Sequence, residues 1–341
     1  MTESIDHHVR GFAAEFTKEP ITEIVRITDG SINETFEVLT QEGGRFILQK
    51  MSKIFPPAVM NNLAAVQLFL KKEGVAVPEG IQSNGGGEYV LNDAGDWYRA
   101  LTYLPGKTIH KNITVYGAES SGLLVGRFHN ALVGCDAHLT EAISHFHDTS
   151  FYMDRMLRIA DTNESTKKSE TLQPLVNEII RRHKNIALDI STLPKRIIHA
   201  DLKVSNIRFS QEGEAIALID MDTLMYGSIV TEMGDALRSW AGTAGEDNKE
   251  QVFDEKIALA GIAGYRKTAK HITEAEISAI PDGISILTLE LASRFVADAY
   301  EEIYFAKSSQ YDSLYAQNKT RAENQLHFLD ACDAKRHLID G

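Results

Sequence analysis

The hydrophobic period of this chain changes near Leu104, and that change restricts its fold more than any other feature. Before it, apolar and polar residues alternate over Ile21 to Thr28, Thr35 to Thr40 and Arg45 to Met51, the period-two pattern of half-buried strands. Asp29-Gly30-Ser31-Ile32-Asn33-Glu34 and Gln41-Glu42-Gly43-Gly44 separate these runs with turn-forming residues, so three antiparallel strands are expected. Pro56-Pro57 opens a stretch to Lys72 whose apolar residues Val59, Leu63, Val66 and Leu70 recur at helical spacing, stopped by Gly74. Glu88 to Leu91 and Trp97 to Tyr103 add two strands around Asn92-Asp93-Ala94-Gly95. After Leu104-Pro105-Gly106 the periods lengthen to those of helices, over Tyr116 to Leu132, Thr171 to Ala187 and several segments beyond Ser239, with the polar run Asp161 to Glu170 as a loop. The expected architecture is α+β: a small antiparallel lobe of five strands and one helix over 1–104, then a larger, mainly helical lobe over 105–341.

The helical half has one interruption. Ile207 to Ser210 and Ala215 to Ile219 are short apolar runs joined by Gln211-Glu212-Gly213-Glu214, the composition of a hairpin. Antiparallel pairing brings the residue before the first run beside the residue after the second. Those residues are Asn206 and Asp220, an amide oxygen and a carboxylate that together suit Mg²⁺ and leave room for phosphate and water ligands. Just upstream, His199-Ala200-Asp201-Leu202-Lys203 puts Asp201 on the loop that enters the hairpin, within reach of a hydroxyl proton beside metal-bound phosphates. A histidine, an aspartate two residues on, an asparagine five further, and a strand ending in aspartate form the pattern of kinase catalytic and metal-binding loops. The expected fold is accordingly bilobal and protein-kinase-like. Protein kinases close an activation loop with an Ala-Pro-Glu element, which is missing here; Gly234-Asp235 follows Asp220 too soon for one.

Ile198-His199-Ala200-Asp201 through Asn206, Leu218-Ile219-Asp220 and Met233-Gly234-Asp235 resemble the aminoglycoside phosphotransferase and choline kinase superfamily over nearly the whole chain. Finer segments are similar to the N-acetylhexosamine 1-kinases: Asp29 to Asn33, Phe46 to Gln49, Ile54-Phe55-Pro56, His145 to Thr149, Ile219 to Thr223, Arg294 to Asp298 and Ile303-Tyr304-Phe305. That resemblance implies an ATP- and Mg²⁺-dependent kinase acting on the anomeric hydroxyl of N-acetylglucosamine or N-acetylgalactosamine. It implies Asp201 as base, Asn206 and Asp220 as metal ligands, and Arg294, Tyr304, Asp222 and Thr223 at the sugar. Kinases for another small alcohol (homoserine, choline, methylthioribose, an aminoglycoside) remain open, and the acidic group Asp298, Glu301 and Glu302 keeps a cationic acceptor among them.

The nucleotide is expected between the lobes. The turn holding Gly30, Ser31 and Asn33 can lay backbone N–H groups over the phosphates. The linker Leu101 to Pro105, including Tyr103, can meet adenine through its backbone. A kinase normally presents a lysine from its third strand, paired with a glutamate on the following helix; here Gln49 stands at the lysine position and Gln67 at the glutamate position. Lys203 can take over the phosphate charge. The two glutamines also admit a nucleotide-binding module without phosphoryl transfer.

Bulk properties narrow the partners. Asp and Glu outnumber Lys and Arg by 48 to 35, for a net charge of −13, which disfavours nucleic acid. No run approaches the roughly eighteen uninterrupted apolar residues of a membrane span, and the start lacks a basic segment followed by an apolar one, so a cytoplasmic protein is expected. Cys135 and Cys332 have no metal-ligand spacing and are expected as reduced thiols. Gly106-Lys107-Thr108 lacks the earlier glycine of a phosphate-binding loop, and His145-Phe146-His147-Asp148 reads as a cap or turn.

Overall fold

Strand alternation decides which face of the N-terminal sheet is dry. The computed structural model describes residues 2–28, 32–242, 245–248 and 250–339. It begins with a helix that the strand-dominated reading of this region missed, α1 (Thr2–Ala14), followed by β1 (Ile21–Ile27), β2 (Glu34–Thr40) and β3 (Arg45–Lys50). Next come α2 (Val59–Lys72), β4 (Gly80–Ile81), β5 (Val90–Leu91) and β6 (Trp97–Thr102). The sheet order is β1-β2-β3-β6-β4, with β5 on the far end of β6, all antiparallel. Phe36, Val38, Phe46, Leu48, Tyr98 and Ala100 share one face and pack on Val9, Ala13 and Phe16, which line one side of α1 and its exit. The opposite face, carrying Ile47, Gln49, Arg99 and Leu101, looks into a cleft.

The rest of the described chain is mainly helical: β7 (Lys107–Thr108), α3 (Val115–Ala131), α4 (Thr149–Thr162), α5 (Lys167–Lys184), β8 (Arg196–Ile198), β9 (Ile207–Phe209), β10 (Ala215–Leu218), β11 (Met225–Gly227), α6 (Ile229–Ala241), α7 (Glu255–Thr268), α8 (Glu274–Ser278), α9 (Ile280–Glu301), α10 (Leu314–Asp333) and α11 (Arg336–Ile339). Helix α4 was also missed, and the expected polar loop shrinks to the turn between α4 and α5. Threonine, serine or aspartate caps start α3 to α7, as Asp148 does for α4 by accepting from Phe151 N–H at 3.0 Å. An antiparallel N-terminal sheet followed by a mainly helical part is the α+β, protein-kinase-like fold expected from the sequence. No described helix is long and apolar enough to cross a membrane.

Two small ladders place the functional loops. β8 pairs with β11, Ile198 facing Met225, and β9 pairs with β10, Ile207 facing Leu218. The 199–206 loop therefore leaves one ladder and enters the other, while the 219–224 loop runs back between the same two. Behind them α3 crosses α7 with glycines at the contact. A Cβ on Gly122 would collide with the carbonyl of Gly261, and one on Gly264 with the carbonyl of Glu119. This close approach brings His129 of α3 to 2.9 Å from the Tyr265 hydroxyl of α7. Gly122→Ala and Gly264→Ala are each expected to destabilise the protein by roughly 1–3 kcal/mol or more, because the obstructing atoms are backbone and cannot rotate away. Urea unfolding measures the change.

Candidate active site

The observed register differs by one residue from the expected one, because Ile207 faces Leu218 and Ile219 N–H donates to the Asn206 carbonyl at 2.9 Å. Asp220 thus follows directly on the residue opposite Asn206, and both line the same cleft at the end of the β9–β10 ladder. Asn206 Nδ2 donates to the Asp201 carbonyl at 2.8 Å and to Asp201 Oδ2 at 2.9 Å. Lys203 Nζ lies 2.8 Å from the same Oδ2. Both side-chain bonds thus fall on one oxygen of Asp201, Oδ2.

Charge is crowded here. Burial first, then the like charges of Asp222 and Asp201, push Asp220 up to about 6. Burial works to lower the pKa of Lys203, but Asp201 and Asp220 outweigh it and raise that pKa above the ordinary lysine value, so the ammonium stays charged. An amide oxygen beside a carboxylate surrounded by other carboxylates is a hard-oxygen donor set with uncompensated negative charge, and it fits a divalent cation.

The loop is held from behind by α6. Glu232 accepts from His199 N–H at 2.9 Å and from Ala200 N–H at 2.7 Å, and His129 Nε2 lies 3.3 Å from it. Burial alone would raise the Glu232 pKa; the hydrogen bond and charge of His129 reverse that and hold it below the usual carboxylate value. Trp240 donates to the Leu202 carbonyl at 2.8 Å, and Ser239 Oγ accepts from Val204 N–H at 3.1 Å. These contacts over-determine a loop whose Ala200 has φ +65°, and Asp220 has φ +63° across from it. Non-glycine residues adopt such angles at a cost of order 1 kcal/mol each, tolerated where the surroundings fix them. His199 Nε2 donates to the Ile219 carbonyl at 2.9 Å, tying the two loops, and the Thr223 hydroxyl donates to the His199 carbonyl at 2.8 Å.

The cleft is a cavity of about 460 Å³ whose apolar walls include Ile27, Ile47, Pro78, Leu101, Leu104 and Ile219. Asn33, Gln49, Tyr103, Asp201, Lys203, Asn206, Asp220 and Thr223 all line it, so most of the residues singled out in the sequence share one space. Gly30 and Ser31 lie outside the described residues. Tyr103 is braced by Arg45, whose guanidinium stands 3.8 Å above the ring. Arg294 and Tyr304 do not line this cavity; they meet each other, Arg294 Nη2 donating to the Tyr304 hydroxyl at 2.9 Å, with Tyr152 also under the guanidinium at 4.9 Å.

Two expectations need correction. Asp222 is buried, at 3% exposure, and its carboxylate is filled by Arg99 and by Asn33 Nδ2 at 3.2 Å, so it faces the sheet and has no oxygen spare for a sugar. Gln67 does not face Gln49; it lines a separate groove with Lys71 and Glu79, because the residues of α2 turned inward are Met60, Leu63, Val66 and Leu70. Gln49 instead accepts from Arg99 and donates to Thr35 at 3.2 Å. Arg99 and Glu232 were not assigned a role from the sequence. Arg99 had a visible sign, a lone charge inside the strand Trp97-Tyr98-Arg99-Ala100-Leu101.

His147 is a brace for the catalytic-loop segment at Ala200. Its Nε2 donates to the Ala200 carbonyl at 2.8 Å, and its Nδ1 stands 3.3 Å from Glu290 Oε1, an ion-pair separation without hydrogen-bond alignment. With acceptors on both sides the ring carries two protons. Burial alone would lower its pKa, but the Glu290 carboxylate lifts it to about 9. Because this stands above the unfolded value near 6.5, the ion pair's contribution is complete below pH 6.5 and is lost as the pH rises through about 9. Its upper bound is about 3 kcal/mol. Thermal midpoints of the wild type are expected to fall by several degrees across that window, and His147→Gln to flatten the change.

The profile of the phosphotransferase enzyme family, APH, matches residues 23–271. Among solved structures, the chain is similar to an amicoumacin kinase in complex with AMP-PNP, Ca²⁺ and Ami (17% identity, TM-score 0.63, covering 95% of this chain and 96% of that one). It is also similar to a microcompartment-associated aminopropanol kinase (15%, 0.65, 96% and 98%) and to choline kinase from Cryptosporidium parvum Iowa II (11%, 0.58, 99% and 97%). At these identities the likeness is one of fold.

Proposed function

We propose that this chain, which belongs to the phosphotransferase enzyme family, is a kinase that transfers the γ-phosphoryl group of ATP, with Mg²⁺, to the anomeric 1-hydroxyl of an N-acetylhexosamine such as N-acetylglucosamine or N-acetylgalactosamine. The observation that carries the phosphoryl transfer is the convergence of Asp201, Lys203, Asn206 and Asp220 at one end of an apolar-walled cleft. Adenine fits the apolar walls beside the 101–104 linker, with the phosphates toward Asn33 and Lys203. Asn206 and Asp220 would hold Mg²⁺, which when bound neutralises phosphate charge and orients the transferring group. Asp201 then accepts the proton of the acceptor hydroxyl at Oδ1, while Lys203 and Asn206 keep Oδ2 fixed. Lys203 adds positive charge next to the phosphates, and with Gln49 tied to Arg99 it is the ammonium nearest that role. Positioning and charge balance supply most of the rate in such transfers.

The acceptor rests on the resemblance of the 294–298 and 303–305 segments to sugar 1-kinases and on the local charge. Asp298 is fully buried and accepts from Ile303, Tyr304 and Phe305 N–H at 2.7 to 3.0 Å and from Asn318 at 2.8 Å. Glu301 pairs with Arg155, and Glu302 with Lys168 at 2.6 Å. The acidic group that kept a cationic acceptor open is thus spent on backbone and ion pairs, and what remains at Arg294 and Tyr304 suits a neutral, hydroxyl-rich ring. A cationic amino alcohol, as the names of two similar structures suggest, is the second reading.

ADP release measured across N-acetylhexosamines, glucosamine, homoserine and choline tests both. The N-acetylhexosamines are expected to exceed choline in kcat/KM by ~100-fold or more, and the reverse order would favour the amino alcohol. Asp201→Asn is expected to lower kcat by roughly 10²–10⁴ with ATP affinity unchanged. Binding of ATP without turnover on any acceptor would leave only a nucleotide-binding module.

A further inference from the structure

The cation missing from β3 has moved one strand over. Arg99 stands directly across the ladder from Gln49, and only 2% of it is exposed. Its Nε and Nη2 donate to Gln49 Oε1 at 2.9 and 2.7 Å. Nη2 also donates to Asp222 Oδ2 at 2.8 Å, Nη1 lies 2.6 Å from Asp222 Oδ1, and Nη1 also meets Met60 Sδ at 3.7 Å. Every N–H of the guanidinium is therefore engaged, and none is left to point at a phosphate. Asp222 belongs to the opposite side of the cleft, in the single 3₁₀ turn Met221–Thr223 that begins beside Asp220. Asn33 extends the same tie, donating to Asp222 and accepting from Ser52 N–H at 2.9 Å.

A fork-on-fork ion pair removed from water on both sides seldom gains stability over well-packed apolar residues, because both ions lose their hydration. What it supplies is fixed geometry, since a planar guanidinium accepts a carboxylate in few orientations. The segment it fixes needs fixing, for Asp220 has the left-handed backbone φ +63° immediately before Asp222's turn.

We propose that Arg99 is a positioning residue that, acting through Asp222, clamps the Asp220 loop to the sheet across the cleft. The ion pair that other kinases make between a strand lysine and a helix glutamate is replaced by one joining the sheet to the metal loop. This rests on the reading that Asp220 holds a divalent cation with ATP, and it is independent of the acceptor.

The test is ATP binding by calorimetry with and without Mg²⁺, beside thermal unfolding, for Arg99→Met, Asp222→Leu, the two combined, and Arg99→Lys. Each of Arg99→Met and Asp222→Leu strands a buried charge and is expected to lower the melting midpoint. The double variant removes both charges and is expected to recover most of that midpoint, while losing about tenfold or more of the Mg²⁺ enhancement of ATP binding. Arg99→Lys keeps the charge without the fork, and is expected to fold and to lose an intermediate part of the enhancement. A double variant, or an Arg99→Lys protein if the double does not fold, with the full wild-type enhancement would overturn the proposal. Asp220→Asn separates the two layers: if it leaves the Mg²⁺ enhancement intact, the metal reading itself fails and the clamp with it.

Discussion

Two backbone amides of the 199–206 loop end on one buried carboxylate, Glu232, and the site depends on that contact. A carboxylate taken out of water must be satisfied, and here it is satisfied by His199 and Ala200 N–H and by His129. The requirement works in both directions: the loop supplies the donors that Glu232 needs, and Glu232 fixes the loop in which Ala200 has an otherwise unfavourable φ of +65°. The support continues outward. His129, which reaches Glu232, lies on α3, and α3 lies close against α7 because of the glycines at 122, 126 and 264. Ser239 and Trp240, one face of α6 with Glu232, hold the following residues of the loop. A helix crossing some distance from the chemistry thus sets the place of Asp201.

Much of this was legible in the sequence because it is local. Period-two alternation found β1 to β3, β5 and β6, and the hairpin between Asn206 and Asp220 followed from two apolar runs and a glycine turn, since residues flanking a hairpin must come together. Three helices escaped, α6 (Ile229–Ala241) because helical periods were expected only beyond Ser239, and the other two for different reasons. α1 carries Val9 and Ala13 at helical spacing, with Phe16 just past its end, but its first half is polar and the strands beyond it dominate the region. α4 buries Tyr152, Met153, Met156 and Ala160, yet its polar end merges with the charged run after Asp161. What sequence could not give was the choice of partner for a charge. Arg99 and Asp222 lie 123 residues apart, and Gln49 and Arg99 fifty; the pairings depend on strand order and on which way one 3₁₀ turn faces. For the same reason Asp222 looked like a sugar ligand and Gln67 like a partner of Gln49.

The protein is acidic overall, with a formal charge of −13, and carboxylates outnumber cations at the site as well. Lys203 and Arg99 stand among Asp201, Asp220 and Asp222, and each cation is committed to a carboxylate. Such a site holds phosphates through a few placed charges and not through a general positive field, so a divalent cation is the natural complement to the carboxylates that remain. The sheet contributes geometry to this balance more than charge, since Arg99 is spent on Gln49 and Asp222.

The central claim is that this constellation moves a phosphoryl group onto the anomeric oxygen of a neutral sugar. Phosphorus NMR of the wild-type protein turning over ATP with Mg²⁺ and N-acetylgalactosamine or N-acetylglucosamine addresses it most directly. The expected result is a new phosphate resonance coupled to the anomeric proton, growing as the γ-phosphate signal of ATP declines. Inorganic phosphate as the only product, or a phosphate coupled to a different ring proton, would contradict it.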